Sequence, residues 1–190
     1  NATGPWCDEL RRLEDPSARP LLRRTRGVHV MVRRERLGHT AGITLTSPID
    51  GRVMFVLPWG DFSYIGTTDT DEPGPPEAAA PAEADVHYLL RSANACFPQA
   101  HLTEEDVVSS WAGVRALLDG GDAASASAVS REHIIRRGPG GMFTIAGGKL
   151  TTFRSMAAEL VDEVAAELTR REGRSRPDPA PTDTEPLPGG

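Results

Sequence analysis

The stretch GVHVMVRRE, residues 27–35, places Val28, Val30 and Val32 at every second position, with His29 and Met31 between them. A period of two is the spacing of a pleated strand with one buried face, whereas a helix would scatter the same valines around its circumference. Further apolar runs follow at 41–47 (AGITLTS), 52–59 (RVMFVLPW) and 62–68 (FSYIGTT), joined by the turn sequences PIDG and GD. Parallel neighbours need a crossover of a dozen or more residues, which these connections lack, so the runs are expected to pair as an antiparallel hairpin succession.

Helical spacing occurs twice. EADVHYLLRSANACF, 83–97, sets Val86, Leu89, Leu90, Ala93 and Phe97 on one side, and a last helix from about Lys149 does the same with Phe153, Met156, Ala157, Leu160, Val161, Val164 and Leu168. Residues 72–82, rich in Pro, Ala and Glu, read as a loop; VVSSWAGVRAL (107–117), ASAVSREHIIRR (126–137) and MFTIAG (142–147) read as three more strands. The class is α+β.

Both ends read as cut. NATGPW at 1–6 looks like a strand leaving into a Gly-Pro turn ahead of the helical CDELRRLED, with no initiator methionine, and five prolines between 177 and 188 form a linker composition. Segments are therefore expected on either side.

With 38% hydrophobic and 25% charged residues among 190, disorder of the whole chain is excluded, and a net charge of −6 gives no global reason to expect a nucleic-acid partner. Residues 21–36 are locally basic: a solvated strand edge, or a surface for an anionic lipid or substrate. Cys7 and Cys96 lie far apart in no metal-ligand or disulfide spacing, which fits a cytoplasmic setting. The longest apolar run, VMFVLPW, is too short to span a bilayer, so membrane contact would be peripheral. Asp69, Asp71 and Glu72 crowd IGTTDTDEPG, but Thr and Asp after a strand mostly cap turns, and no metal is expected.

Three features point to chemistry. In TIAGGKLTT, 144–152, Gly147 and Gly148 separate a strand from a helix start that carries Lys149, Leu150 and Thr151, an anion-receptive arrangement of amides; a plain Gly-Gly turn is the alternative. In WAGVRALLDG, 111–120, Gly113 stands two residues before Arg115, as if the backbone came close to something anionic. Arg115 and Arg131 each sit in apolar strands and need a carboxylate or phosphate, in an internal ion pair or a ligand. His29 is a satisfied core histidine or a base.

NATGPW, GVHVMV, FVLPW with IGTTDT, DVVSSWAGVRAL, SAVSREH and GGKLTTFR, in this order, closely resemble the FAD-dependent glycerol-3-phosphate dehydrogenases. The resemblance covers residue 1 to about 170. It implies a D-amino-acid-oxidase-like fold: an antiparallel-sheet substrate domain at 26–137, parts of a Rossmann-like FAD-binding domain at 1–25 and 138–172, and a linker at 173–190 to a helical domain. The GxGxxG fingerprint of that family is absent, so the chain resembles a middle fragment that alone should neither hold FAD tightly nor turn over. Carried over, Thr3, Gly4 and Pro5 pass the cofactor, Gly113 admits the flavin, and Gly147, Gly148, Lys149, Leu150 and Thr151 serve its anionic edge. Arg115, Arg131 and Lys149 meet glycerol 3-phosphate, and His29 is the base for the C2 hydroxyl proton. The resemblance further implies a quinone or other electron acceptor and a cytoplasmic protein at the inner face of the membrane. A glycerol-phosphate oxidase or related flavin oxidase shares the motifs, and a non-catalytic fragment is the third reading.

Overall fold

The computed structural model describes residues 1–119, 132–173, 175, 178 and 180–186. The chain divides into two compact units, Arg24–Arg115, and Asn1–Arg23 together with Ala116–Gly190.

The unit Arg24–Arg115 is built on strand β1 (Leu22–Arg33), which continues into it from the other unit. With β2 (Ile43–Thr46), β3 (Val53–Trp59), β4 (Phe62–Gly66) and β5 (Thr70–Asp71) it forms the order β2-β3-β4-β1-β5, and β6 (Val107–Leu118) also pairs with β1. The hairpin succession expected from the turns is present: β2 and β3 pair Val56 with Ile43, and β3, β4 and β1 align Val56, Ile65 and Val30 antiparallel. Register puts Val28, Val30, Val32, Met54, Val56 and Ile65 on one face, all fully buried. Helix α2 (Glu83–Cys96) closes that face with Leu89, Leu90 and Ala93. The 72–82 loop contains one short 3-10 turn, Pro76–Ala78.

The other unit starts with a 3-10 turn at Gly4–Trp6 and helix α1 (Cys7–Glu14), as the Gly-Pro and CDELRRLED pattern implies. Asp8 of α1 accepts the amides of Leu21 (2.9 Å) and Leu22 (3.0 Å), which ties the start of β1 to the helix. Strands β7 (His133–Arg137) and β8 (Phe143–Gly147) form an antiparallel hairpin, and Glu14 accepts the Met142 amide (2.8 Å) in its turn. Of the expected strand at 126–137, residues 126–131 lie outside the described ones. Cys7, Leu22 and Ala146 make a small core with Leu21, Ala116 and Leu118 around it.

Helix α3 covers Phe153–Glu172, four residues later than the expected start at Lys149. A 3-10 turn at Leu150–Thr152 intervenes, because Gly147 and Gly148 both hold positive φ and the chain needs that turn to regain helical dihedrals. The expected apolar stripe is only half covered: Met156, Leu160 and Val164 are half-buried, whereas Phe153, Val161 and Leu168 are exposed.

If the valine face carries the unit's stability, Ile65→Ala should cost about 2–5 kcal/mol in urea unfolding, and Phe55→Ala, on the opposite face, about 1 kcal/mol or less.

Candidate functional site

The sheet face opposite the core is where the unit Arg24–Arg115 places its chemistry. His29 stands directly across from Gly66, and Gly66 across from Phe55, so these three share that face. A Cβ built on Gly66 would overlap the His29 ring, and one built on Gly27 would overlap the Arg115 guanidinium. Two glycines therefore let two large polar side chains lie flat across neighbouring strands. Gly113, between Trp111 and Arg115 on β6, has nothing within 4 Å of an added Cβ, so its surface opens outward. The glycine that makes room for Arg115 is thus Gly27 and not its sequence neighbour Gly113. The expectation that Gly113 admits a flavin concerns a ligand and passes to the proposal below.

His29 is held by rings. It stacks on Trp111 at 5.3 Å and 11°, and meets the edge of Tyr64 at 6.0 Å and 66°. Neither ring nitrogen has a hydrogen-bond partner among the described residues. His39 shows what a satisfied histidine looks like here: buried, with Nδ1 donating to the Ala41 carbonyl (2.8 Å) and Nε2 accepting from the Ser63 hydroxyl (2.6 Å), the tautomer that a carbonyl acceptor requires. Burial pushes the pKa of His29 below its ordinary value, and the Arg115 charge adds to that shift. The result is an imidazole kept neutral, with open nitrogens that could take a proton directly from a reacting group.

Arg115 has internal partners. Its Nη1 donates to the Thr68 carbonyl (3.2 Å) and to Asp69 Oδ1 (3.3 Å), and its Nη2 to Thr67 Oγ1 (3.1 Å). The ion pair offered as one alternative from sequence therefore exists, with the guanidinium still partly exposed. In the acidic stretch after β4, Asp69 serves Arg115, and Glu72 both accepts from Arg26 (3.0 Å) and caps its own turn by accepting the Gly74 amide (3.2 Å). Among the described residues the one cluster of three or more His, Cys or carboxylate groups within mutual ligand reach is elsewhere, at exposed Glu83, His87 and Glu104.

In the other unit, Thr3 Oγ1 donates to Asn1 Oδ1 (2.8 Å), Gly4 holds positive φ and Pro5 sits in the first turn that follows. Asn1 lies along β8, accepting the Ile145 amide (2.9 Å). A Cβ on Gly147 would strike the Glu132 carbonyl, and one on Gly148 the Met156 sulfur, so this double glycine is required by space as well as by φ. The first backbone hydrogen bond of the next turn runs from Thr152 N–H to the Lys149 carbonyl (3.0 Å), which puts the Leu150 and Thr151 amides ahead of the ladder. Lys149, Leu150 and Thr151 are exposed. Arg131 lies outside the described residues.

Tyr64, Trp111, Asp69 and Gly27 are the site residues that sequence reasoning missed. Trp111 carried a signal, standing at i−4 from Arg115 on the same strand face; the other three depend on cross-strand register.

A family model described as FAD dependent oxidoreductase matches residues 1–162. The chain belongs to that family. Among curated relatives, the aerobic glycerol-3-phosphate dehydrogenase of Staphylococcus haemolyticus is 39% identical over 170 residues, covering 88% of this chain and 30% of the relative. The Staphylococcus aureus enzyme of the same name is 37% identical over 175 residues, 91% of this chain and 31% of that protein. The crystal structure of glycerol-3-phosphate dehydrogenase from Bacillus halodurans complexed with FAD aligns with a TM-score of 0.80 at 35% identity, over 95% of this chain and 33% of that one. The chain thus spans about a third of the length of the relatives it matches. Its antiparallel sheet with helices is the arrangement expected for this family of FAD-dependent oxidoreductases.

Two outcomes follow for this chain. Gly66→Ala should expel the His29 ring from its slot and shift the fluorescence of Trp111, while the conservative Phe55→Leu leaves both in place. The folded chain resists protonating His29, whose unfolded pKa is about 6.5, so stability should fall as pH drops below that value toward the lowered folded pKa. His29→Gln should remove this acid-side loss, seen as a melting-temperature difference from wild type that changes between pH 7 and 5.

Proposed function

We propose that this chain is part of a flavoprotein that oxidises sn-glycerol 3-phosphate to dihydroxyacetone phosphate, with FAD as its cofactor. The observation that carries the reading is a half-buried neutral imidazole without an internal hydrogen bond, next to a fixed guanidinium, on one glycine-floored face. The relatives at 37–39% identity, named for this dehydrogenase, support it.

The residues fit the cofactor. Gly113 offers a flat opening where any larger residue would put a side chain, and the Gly147–Gly148 turn presents the Leu150 and Thr151 amides at a helix start. Thr3, Gly4 and Pro5 supply close backbone in the same unit. When bound, FAD supplies the acceptor for the hydride that leaves C2 of the substrate.

The chain's own residues do the rest. His29, neutral in the resting protein, takes the C2 hydroxyl proton onto an imidazole nitrogen. The Trp111 stack and the Gly66 slot orient that ring and strip it of water. Arg115 meets the anionic ester, a bidentate partner suited to phosphate oxygens. Lys149 and Arg131 are assigned to substrate oxygens or phosphate by the family resemblance alone. Quinone or another acceptor takes the electrons onward in a cytoplasmic protein, and the basic segment 21–36 is the surface for any contact with the inner face of the membrane. Among the described residues no helix is long and apolar enough to cross a membrane.

Anaerobic addition of glycerol 3-phosphate should bleach the flavin of the whole FAD-loaded protein, whereas glycerol and glycine leave it oxidised; bleaching by glycine would sink the substrate assignment. His29→Gln should slow that bleaching by about 10²- to 10⁴-fold, and a rate within a few-fold of wild type would remove His29 as the base.

A further inference from the structure

The Arg115 guanidinium does not hang from a flexible stem. Gly27 forms the floor beneath it, and three consecutive residues, Thr67, Thr68 and Asp69, each give it an acceptor. That segment is itself pinned: Val28 N–H donates to Thr68 Oγ1 (3.0 Å), and Thr68 N–H to the Val28 carbonyl (3.4 Å). Directly afterwards Thr70 and Asp71 pair with Arg26 and Thr25 of β1. Of the three acceptors only Asp69 carries charge, and its side chain is 7% exposed against 27% for Arg115. Its inner side faces a cavity of about 320 Å³ that also contains Arg26, Arg52, Asp50, Asp85 and Tyr88. Arg26 is occupied there by Glu72 and Asp85, both at 3.0 Å, and Asp50 takes the Tyr88 hydroxyl at 2.8 Å. Asp69 is therefore a nearly enclosed carboxylate paired with the Arg115 guanidinium, and a charge so placed holds its partner in one geometry.

We propose that Asp69 is a positioning residue for substrate binding: it locks the Arg115 guanidinium onto the open sheet face, so that the anionic ester meets a fixed cation. This rests on the reading that Arg115 meets the substrate. A guanidinium held in advance loses no side-chain freedom when the ligand arrives, whereas a released one must be ordered at the ligand's expense. Asp69 touches neither the reacting carbon nor its hydroxyl in this scheme, and acts through Arg115.

The test is a cycle of Asp69→Ala, Asp69→Asn, Arg115→Ala and the double alanine variant. Its readouts are the calorimetric Kd of glycerol 3-phosphate for the whole apoprotein and KM and kcat for the FAD-loaded protein. Asp69→Ala is expected to raise Kd and KM by about 10- to 100-fold. Asp69→Asn, which keeps an oxygen in reach of Nη1, should stay within about threefold of wild type, and the double variant should be no worse than Arg115→Ala alone. Added guanidinium ion gives a readout that a purely structural role would not move. It should restore binding to Arg115→Ala, where Asp69 can hold it, but not to the double variant. If Arg115→Ala weakens binding while Asp69→Ala does not, or if rescue ignores Asp69, the positioning role is wrong and the substrate reading stands. If Arg115→Ala leaves Kd and KM unchanged, the substrate reading falls and the proposal falls with it.

Discussion

Strand β1 is asked to do two incompatible things, and the pleat makes both possible. Its even-numbered valines are sealed against α2, where every methyl group adds to burial, while Gly27 and His29 on the other side are kept available. Because successive side chains point in opposite directions, the stabilising face and the working face are separated by less than one residue's rise. A one-residue slip in register would exchange them, burying the imidazole and exposing the valines. The sheet's pairing thus carries the position of the site, and the valine core is what holds the pairing.

On the working face, the surroundings of each polar group define its role. His29 and His39 are the same residue type on the same scaffold. His39 is satisfied by a carbonyl and a hydroxyl and belongs to the structure. His29 is surrounded by Trp111, Tyr64 and the bare backbone of Gly66, which restrain its ring without occupying its nitrogens. Arg115 is the reverse case, a cation whose orientation is secured by acceptors drawn from one short segment, 67–69. The Arg115 charge in turn helps keep His29 neutral.

Much of this was legible before any coordinates. The alternation in GVHVMV predicted both the strand and the face on which His29 lies, and the turns PIDG and GD predicted the hairpins, because these are local properties of sterics and periodicity. The α3 start was misplaced by the Gly147–Gly148 turn, whose two positive φ angles displace the first regular turn downstream. The glycine that accommodates Arg115 could not be found from WAGVRALLDG, since it is Gly27, brought in by the pairing of β6 with β1. Asp69 looked like a turn cap because its partner is 46 residues away. Such pairings become visible only when register is known.

The three glycines of the working face differ in kind from Gly147 and Gly148. None of Gly27, Gly66 and Gly113 holds a positive φ, so the backbone itself would accept another residue there. What excludes a side chain at 27 and 66 is the volume already taken by Arg115 and His29. Tolerance at these positions is therefore conditional. A chain that had given up Arg115 could fill position 27 with alanine or serine at little cost, and one that had given up His29 could do the same at 66. Positions 27 and 115, and positions 29 and 66, should drift together through evolution as pairs of fixed total volume, a coupling of sizes and not of charges or dihedral angles.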